Sequence, residues 1–364
     1  MISKRSRLVD SSGIRKVFDL AASLEDPINL SIGQPHFDVP ESIRAALIGA
    51  VKSGKNKYTQ TQGIEQLRHK VLEKEKKRTG IEHDSVMITS GVSGGLVLAM
   101  MALLDPGDEV IIPDPYFVMY KHLAMLFGGV PRYVDTYPDF EPTAERIEEV
   151  LSPRSKLLFI NSPANPTGKV LGRDRLMEIA DLAGRHNLLV ISDEIYHEFC
   201  YDGEAESIAA HCPQTLLLNG LSKSSAMTGW RLGWAVGPED VIQEMMKLQQ
   251  YTFVCAPAMV QEAALVALDL DTAKYKSDYR AKRDRLMSAL SGSYEIDTPE
   301  GAFYMFPRAP GDGGMAFVER AIQHGLLVVP GGVFSQRDTN FRLSYAASDE
   351  TIERGIEVLL RIAR

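Results

Sequence analysis

The sequence predicts an α/β fold, in which a mostly parallel sheet of seven strands is covered by helices on both faces and is followed by a smaller α+β domain. From residue 86 to residue 236, short apolar segments alternate with segments of helical periodicity, which is typical of parallel sheets buried on both faces. After Trp234 this alternation ends, and helices precede a few short strands. The length of 364 residues suits one large domain plus one smaller domain.

Apolar periodicity and turn residues place the individual elements along the chain. Before the sheet, helices are predicted at 13–24, 41–53 and 64–78, with a short strand and loop at 29–40. The seven strands are predicted at 86–89, 109–112, 132–135, 156–161, 188–192, 215–219 and 233–236, with helices at 94–104, 116–127, 144–151 and 173–186. The second part contains helices at 239–250, 257–270, 272–290, 315–324 and 349–362, and strands at 302–306, 326–329 and 341–344. We expect residues 1–40 to join a small domain of residues 271–364, beside a large domain of residues 41–270.

Charge and composition exclude several classes of function. The formal net charge is −8 and no basic stripe outweighs the acidic residues, so nucleic acid is not an expected partner. No apolar run has the length of a transmembrane helix or a signal-peptide core, so no membrane partner is expected. The three cysteines, Cys200, Cys212 and Cys255, have no paired spacing, which argues against disulfides or a metal site and favours a reducing cytoplasm.

A single lysine lies between two predicted strands. Residues 219–231, NGLSKSSAMTGWR, contain Lys223 among small residues, with Arg231 at the end. Burial at a strand end disfavours the charged form of a lysine and leaves a nucleophilic amine, which suits a Schiff base. Because most lysines are solvated surface residues, the interpretation depends on the groups around this one.

Polar and aromatic residues follow the other predicted strands, at the edge where parallel sheets bind ligands. Residues 91–93 open a helix whose free N–H groups attract an anion, with a plain helix cap as the alternative. Phe117 offers a ring face to a flat cofactor or is a core side chain. Asn165 precedes a proline and either aims its amide into a cleft or forms an Asx turn. Asp193 needs a cation unless it caps a helix, and Tyr196 can point the same way.

One arginine of the second domain completes this set. Arg342 lies in an apolar strand, where it needs an anionic partner, either a protein carboxylate or the α-carboxylate of a substrate. Together these residues describe a site for a phosphorylated aromatic aldehyde with a ring nitrogen. They supply an anion cradle, a ring platform, an amide, a buried carboxylate, a tyrosine hydroxyl, a sheltered lysine and an arginine.

Four motifs occur in a specific order, NPTG at 165–168, SDEIY at 192–196, SKSSAMTGWRLGW at 222–234 and FRLSYA at 341–346. In this combination the chain resembles the class I/II aminotransferases of the pyridoxal-phosphate-dependent fold type I, aspartate aminotransferase superfamily, from Gly33 to Ser344. The resemblance implies pyridoxal 5′-phosphate as cofactor and ping-pong transfer of an amino group from an L-amino acid to a 2-oxo acid. It also implies a homodimer with shared active sites.

The resemblance implies roles for individual residues. Lys223 matches the lysine that forms the Schiff base and moves the proton, Asp193 the partner of the pyridine N–H, and Tyr196 a further catalytic group. The implied cofactor contacts are Gly91, Val92, Ser93 and Arg231 at the phosphate, Tyr58 reaching the phosphate of the partner subunit, Phe117 stacked on the ring, Tyr196 and Asn165 at the phenolic oxygen, and Ser222. Arg342, Asn165 and Gly33 match residues that bind or close over the substrate carboxylate.

Two positions depart from the pattern of similar proteins. Gly220 stands where some relatives have a phosphate-binding serine. Ser93 stands where a bacterial aspartate-using subgroup has a lysine for the distal carboxylate, which favours neutral or aromatic donors over dicarboxylates. We expect the pocket for the donor side chain to involve loops near 14–18 and 255–259.

Two alternatives remain open from the sequence. The same motifs serve other reactions on this cofactor, such as a C–S β-lyase or a racemase, because only the later steps differ. A regulatory or binding protein of this fold would carry an additional DNA-binding domain, and we expect no room for one before Gly33.

Overall fold

The computed structural model describes residues 2–9, 24, 26–83 and 85–363. The helix predicted at 13–24 and the pocket residues predicted at 14–18 therefore lie outside the described residues, apart from Leu24. None of the described helices combines the length and the apolar character needed to cross a bilayer.

Strands and helices alternate through the first two thirds of the described chain. The strands are β1 (Ile28–Asn29), β2 (Ser85–Thr89), β3 (Glu109–Asp114), β4 (Val130–Asp135), β5 (Ser155–Asn161), β6 (Leu189–Asp193), β7 (Thr215–Gly220), β8 (Gly233–Gly237), β9 (Tyr304–Met305), β10 (Leu326–Leu327), β11 (Val329–Pro330) and β12 (Phe341–Ser344). The helices are α1 (Glu41–Lys52), α2 (Glu65–Thr79), α3 (Gly91–Leu103), α4 (Met119–Leu126), α5 (Ala144–Glu148), α6 (Arg173–Arg185), α7 (Glu239–Gln249), α8 (Ala258–Ala267), α9 (Ala273–Leu290), α10 (Gly314–Gln323) and α11 (Asp349–Ile362).

The main sheet has the order β2-β8-β7-β6-β5-β3-β4, which confirms the seven predicted strands. Every neighbouring pair is parallel except the two that involve β8. Strand β8 runs in the opposite direction because residues 221–232, between β7 and β8, contain no crossover helix, only the short 3₁₀ turn Thr228–Trp230. The carboxyl ends of the parallel strands therefore share one edge with the start of β8.

Alternating side chains of the central strands supply both faces of the sheet. In β5, Leu157 and Phe159 pack with α3, α4 and α7, whereas Leu158 and Ile160 pack with α5 and α6. Because a strand directs successive side chains to opposite faces, the continuous apolar run predicted this sandwich.

The second part of the chain contains two small sheets. Strands β11, β12 and β9 form an antiparallel sheet, and β1 near the N-terminus pairs in parallel with β10. The prediction of one strand at 326–329 was wrong, because residues 326–327 pair with β1 whereas residues 329–330 pair with β12. Short apolar runs of this kind do not indicate which sheet each residue joins.

Candidate active site

The polar residues that follow the strands meet in one cavity at the carboxyl edge of the main sheet. The cavity has a volume of about 290 Å³, close to the lower end of the range that is usual for small-molecule sites. Its lining includes residues singled out in the sequence, namely Gly33, Val92, Ser93, Phe117, Asn165, Asp193, Tyr196, Ser222, Lys223, Arg231 and Arg342. Strand β12 and the loop before α1 thus complete a site that the main sheet begins.

Lys223 is a partly buried amine that faces this cavity. Its Nζ donates a hydrogen bond to the carbonyl oxygen of Gly33 over 2.6 Å. Burial, together with the charges of Arg342 and Arg231 and against the opposing effect of Asp193, lowers the pKa of Lys223 to about 8. An amine with this pKa is partly neutral in mildly alkaline solution, which a nucleophile and proton carrier requires.

Asp193 ends β6 with a buried carboxylate that lines the cavity. Its Oδ2 accepts a hydrogen bond from the Tyr120 hydroxyl at 2.8 Å, and its Oδ1 accepts one from the Ile195 N–H at 3.3 Å. Burial raises the pKa of Asp193 to about 6 despite these hydrogen bonds. The described residues provide no ion-pair partner for this carboxylate, so it can receive a cationic group of a ligand.

The start of α3 and Arg231 form a cradle that suits an anion. Gly91 has a φ of +68°, and a Cβ atom there would lie 2.9 Å from Nη2 of Arg231. A Cβ on Gly233 would lie 2.9 Å from backbone atoms of Gly91 and Val92, so β8 packs directly against the first turn of α3. Backbone contacts require glycine at 233, and the positive φ favours it at 91; the close packing sets the guanidinium at the N-terminal end of a helix dipole.

Arg342 is a fully buried guanidinium in β12, 1% exposed. It donates from Nη1 to Oδ1 of Asn165 at 3.0 Å and from Nη2 to the carbonyl oxygen of Ser31 at 2.8 Å, while its Nε has no partner. Its Cζ lies 4.5 Å from the ring centres of both Tyr304 and Phe334. Within the described chain its partners are neutral oxygens and rings instead of a protein carboxylate, so the positive charge is available to a carboxylate ligand.

A pair of tyrosines connects the two halves of the site. The hydroxyl of Tyr196 lies 2.8 Å from the hydroxyl of Tyr304, and their rings meet edge to face. Burial raises the pKa of both phenols, so both keep their protons at neutral pH. One hydroxyl therefore donates to the other, and the pair retains a proton that can be donated into the cavity.

The remaining predicted residues divide between the cavity wall and the outside. Phe117 lies in the wall, because α4 begins only at Met119 and leaves Phe117 in the preceding loop. Ser93 and Ser222 also line the wall. Tyr58 does not line the cavity of its own chain and is 85% exposed. Residues 255–259 do not line it either.

Sequence reasoning missed several side chains that line the cavity, among them Tyr120, Thr228 and Tyr304. Tyr120 lies one helical turn after Phe117, and Thr228 lies one turn before Arg231, so helical spacing was a usable signal. Tyr304 had no such signal, since its partner Tyr196 is 108 residues away.

Comparison with known proteins identifies the family. The family model for aminotransferase class I and II matches residues 25–359. The chain belongs to this family. The probable aspartate aminotransferase of Methanocaldococcus jannaschii is 37% identical to it over 100% of both chains, and aromatic-amino-acid aminotransferase 2 of Thermococcus litoralis is 36% identical over 100% of this chain and 98% of the relative. The solved structure of aspartate aminotransferase from Thermus thermophilus with maleate matches with a TM-score of 0.96 and 34% identity, covering 100% of this chain and 99% of that chain.

This aminotransferase therefore has the pyridoxal-phosphate fold type I, and it transfers amino groups from amino acids to 2-oxo acids with pyridoxal 5′-phosphate as cofactor. The cavity suits that cofactor in three respects. The cradle at Gly91 and Arg231 suits a phosphate, the Lys223 amine suits an aldehyde carbon, and the unpaired carboxylate of Asp193 suits a protonated ring nitrogen.

Proposed function

We propose that Lys223 is the catalytic residue of this aminotransferase, and that it holds the cofactor covalently through Nζ. Bound pyridoxal phosphate supplies an electron sink that makes the α-hydrogen of the amino acid acidic. The Nζ atom of Lys223 would remove this proton and later return it. The observation that carries the proposal is the position of this amine, whose lowered pKa of about 8 supports proton transfer in both directions.

Other residues are proposed to orient the cofactor. Asp193 keeps the ring nitrogen protonated, and Tyr120 holds Asp193 in place through the hydrogen bond to Oδ2. Tyr196 and Asn165 donate to the phenolic oxygen, which maintains the electron withdrawal of the ring. The proposed phosphate contacts are the first turn of α3 (Gly91, Val92 and Ser93), Arg231 and Ser222, while Phe117 stacks on the ring.

Arg342 is proposed to bind the α-carboxylate of the amino acid, together with Asn165 and the backbone at Gly33. The buried guanidinium supports this role because the described residues leave it without an anionic partner. A carboxylate would replace the weak interactions with neutral oxygens by charge-assisted hydrogen bonds.

Neutral or aromatic amino acids are the proposed donors. The described cavity wall contains three cationic side chains, Lys223, Arg231 and Arg342, and each already has a proposed role. Position 93 is serine, and the same cavity wall is apolar at Ile32 and Leu96. A distal carboxylate would therefore be buried without compensation from the described residues. One relative is named an aromatic-amino-acid aminotransferase, whereas others are named for aspartate, so a donor panel is needed.

The proposed working form is a cytoplasmic homodimer. Tyr58 would reach the phosphate in the partner subunit, which agrees with its exposure in the single chain. The three free cysteines, Cys200, Cys212 and Cys255, suit a reducing compartment. We further propose that residues 1–40 and 271–364 form a small domain beside a large one of residues 41–270, which the pairing of β1 with β10 supports.

Borohydride reduction tests the central proposal. Reduction of the cofactor-loaded protein followed by digestion should label only the peptide that contains Lys223, and the Lys223→Ala variant should bear no label. In a second assay, one amino acid added without acceptor should yield a 2-oxo acid and leave the amino group on the cofactor. A label on another lysine would overturn the role of Lys223, whereas ammonia and pyruvate as products would indicate a β-lyase reaction.

A further inference from the structure

The loop of residues 31–37 joins the cavity to helix α9. At one end, the carbonyl oxygen of Ser31 accepts from Arg342, and the carbonyl oxygen of Gly33 accepts from Lys223. At the other end, the ring of Phe37 stacks on Tyr275 of α9 with the ring centres 3.7 Å apart. The position of this loop therefore affects both the amine and the guanidinium of the site.

A buried ammonium group connects the loop to two other segments. Lys282 of α9 is 3% exposed. Its Nζ lies 2.8 Å from Nε2 of His36, 2.8 Å from Oδ2 of Asp278 and 2.9 Å from the carbonyl oxygen of Ala347. Ala347 follows β12, the strand that contains Arg342. One lysine thus holds together the loop, helix α9 and the segment after the arginine strand, although it does not line the active-site cavity.

The contact between Lys282 and His36 requires a neutral imidazole. An ammonium group can only donate, so Nε2 of His36 must accept, and Nδ1–H then points to the Tyr279 hydroxyl at 3.3 Å. Burial and the charge of Lys282 lower the pKa of His36, while Asp278 and Asp349 oppose this shift.

Protonation would change the partners of His36. The protonated Nε2 would carry an N–H donor that faces the ammonium of Lys282. The acceptor left for it on α9 would be Asp278, whose Oδ2 lies 3.2 Å from Nε2. Asp278 would then be shared between two cations. The stacking of Phe37 on Tyr275 does not depend on pH, so the Phe37 end of the loop stays attached to α9. The part of the loop near Gly33 then becomes less constrained.

We propose that His36 and Lys282 are positioning residues that keep the loop in the arrangement that binds substrate, and that protonation of His36 weakens the binding of the amino acid. The proposal rests on the proposed role of Arg342 as the carboxylate receptor, because the carbonyl oxygen of Ser31 transmits the change to Arg342. Neither residue takes part in the transfer of the amino group.

The first experiment compares binding at two pH values. The probe is 2-aminoisobutyrate, which has an α-carboxylate but no α-hydrogen, and its dissociation constant is read from the absorption of the bound cofactor. Between pH 7.5 and pH 5.5, the dissociation constant should increase about fivefold more for the wild type than for His36→Gln. The side-chain oxygen of the glutamine accepts from Lys282 at both pH values, so this variant has no imidazole to protonate. The control is His69→Gln on the exposed face of α2, which should follow the wild type. Parallel profiles for wild type and His36→Gln would overturn the proposal.

The second experiment reads the loop directly and needs no substrate. At pH 5.5, amide exchange in peptides covering residues 31–37 should be faster in the wild type than in His36→Gln, whereas at pH 7.5 the two should agree. Lys282→Met should show the faster exchange at both pH values. Equal exchange in all proteins at pH 5.5 would contradict the proposal. If none of the proteins, including the wild type, bound the probe while the exchange differences remained, the result would instead reject the role of Arg342.

Discussion

The carboxylate of Asp193 is unfavourable for the protein without its cofactor. Burial raises its pKa in the folded protein to about 6, compared with about 3.9 in an unfolded chain. A raised carboxyl pKa means that folding favours the protonated form, so ionisation of Asp193 lowers the free energy of unfolding. This loss is absent below about pH 4, grows between about pH 4 and pH 6, and is constant above that. The same charge is what a protonated ring nitrogen would compensate.

We therefore expect Asp193→Asn to stabilise the cofactor-free protein. At about 1.4 kcal/mol per pKa unit the gain should be about 3 kcal/mol at pH 7.5, because the asparagine amide can still accept from the Ile195 N–H and donate to the Tyr120 hydroxyl. Urea unfolding of cofactor-free wild type and variant at pH 7.5 and pH 4 measures it. The difference should disappear at pH 4, and an equal difference at both pH values would show that the charge is not its cause.

Arg342 provides a second prediction at the scale of one residue. Arg342→Leu should raise KM for the amino donor about 10- to 100-fold, because a charged hydrogen bond contributes about 1.5–3 kcal/mol. The variant should still bind the cofactor. Saturation curves measure the effect, and Arg283→Leu is the matched control, since Arg283 is similarly buried but bonds to Pro299 away from the cavity. An equal rise in both variants would argue against a specific role for Arg342.

The sequence indicated residues with a local signature more readily than those with a distant partner. Lys223 and Asp193 lie at strand ends in recognisable motifs, and the structure brings both to one cavity. The contact of Tyr304 with Tyr196 and that of Ser31 with Arg342 depend on segments 108 and 311 residues apart. No periodicity reports contacts of this range, because they follow from how the sheets pack.

At the scale of the element, the first turn of α3 must be free of a side chain at Gly91. We expect Gly91→Ala to weaken the affinity for pyridoxal phosphate at least tenfold, because its Cβ would occupy space next to Arg231. The positive φ adds a strain of about 1 kcal/mol to the folded protein. Absorbance titration with the cofactor measures the affinity.

A matched glycine separates backbone strain from the loss of the cradle. Gly80 ends α2 with a φ of +75°, and a Cβ atom added there would have no other atom within 4 Å. Gly80→Ala should therefore lose about the same stability as Gly91→Ala, about 1 kcal/mol, and retain full cofactor affinity. If both variants lost affinity equally, strain rather than the cradle would explain the effect.

Sequence periodicity predicted the helices and strands themselves, but it did not predict which strands pair with each other. Strand β12 and helix α11 have the predicted bounds because an apolar strand and a strongly amphipathic helix are local patterns. The pairing of β1 with β10 joins residues nearly 300 positions apart in the chain. Two-residue strands are too short to carry a sequence signal, and they form because one buried apolar cluster brings Ile28, Leu326 and Leu327 together.

At the scale of the whole molecule, exposed apolar side chains lie on helices α1 and α8 and in the loop after α7. Ile48 of α1 and Val266 of α8 are exposed, as are Tyr251 and Phe253 in the loop after α7. The ring of Phe253 would lie 3.7 Å from a Cβ on Gly94, one turn into α3. Large exposed apolar groups mark contact surfaces, and a second copy in contact with Phe253 would come close to the first turn of α3.

Subunit mixing tests whether two chains share each active site. Tyr58→Ala should weaken cofactor affinity about tenfold or more through the lost hydrogen bond, and Lys223→Ala should abolish transamination. In a mixed dimer, the chain with the Tyr58→Ala substitution keeps its own Lys223 and receives Tyr58 from its partner, so one of the two sites is native. Random pairing of equal amounts therefore makes about a quarter of all sites native. Turnover at limiting pyridoxal phosphate should rise accordingly after the inactive and weakened proteins are unfolded and refolded together. If Tyr58 instead served its own chain, mixing would create no native site, and turnover would not exceed the average of the two parent proteins.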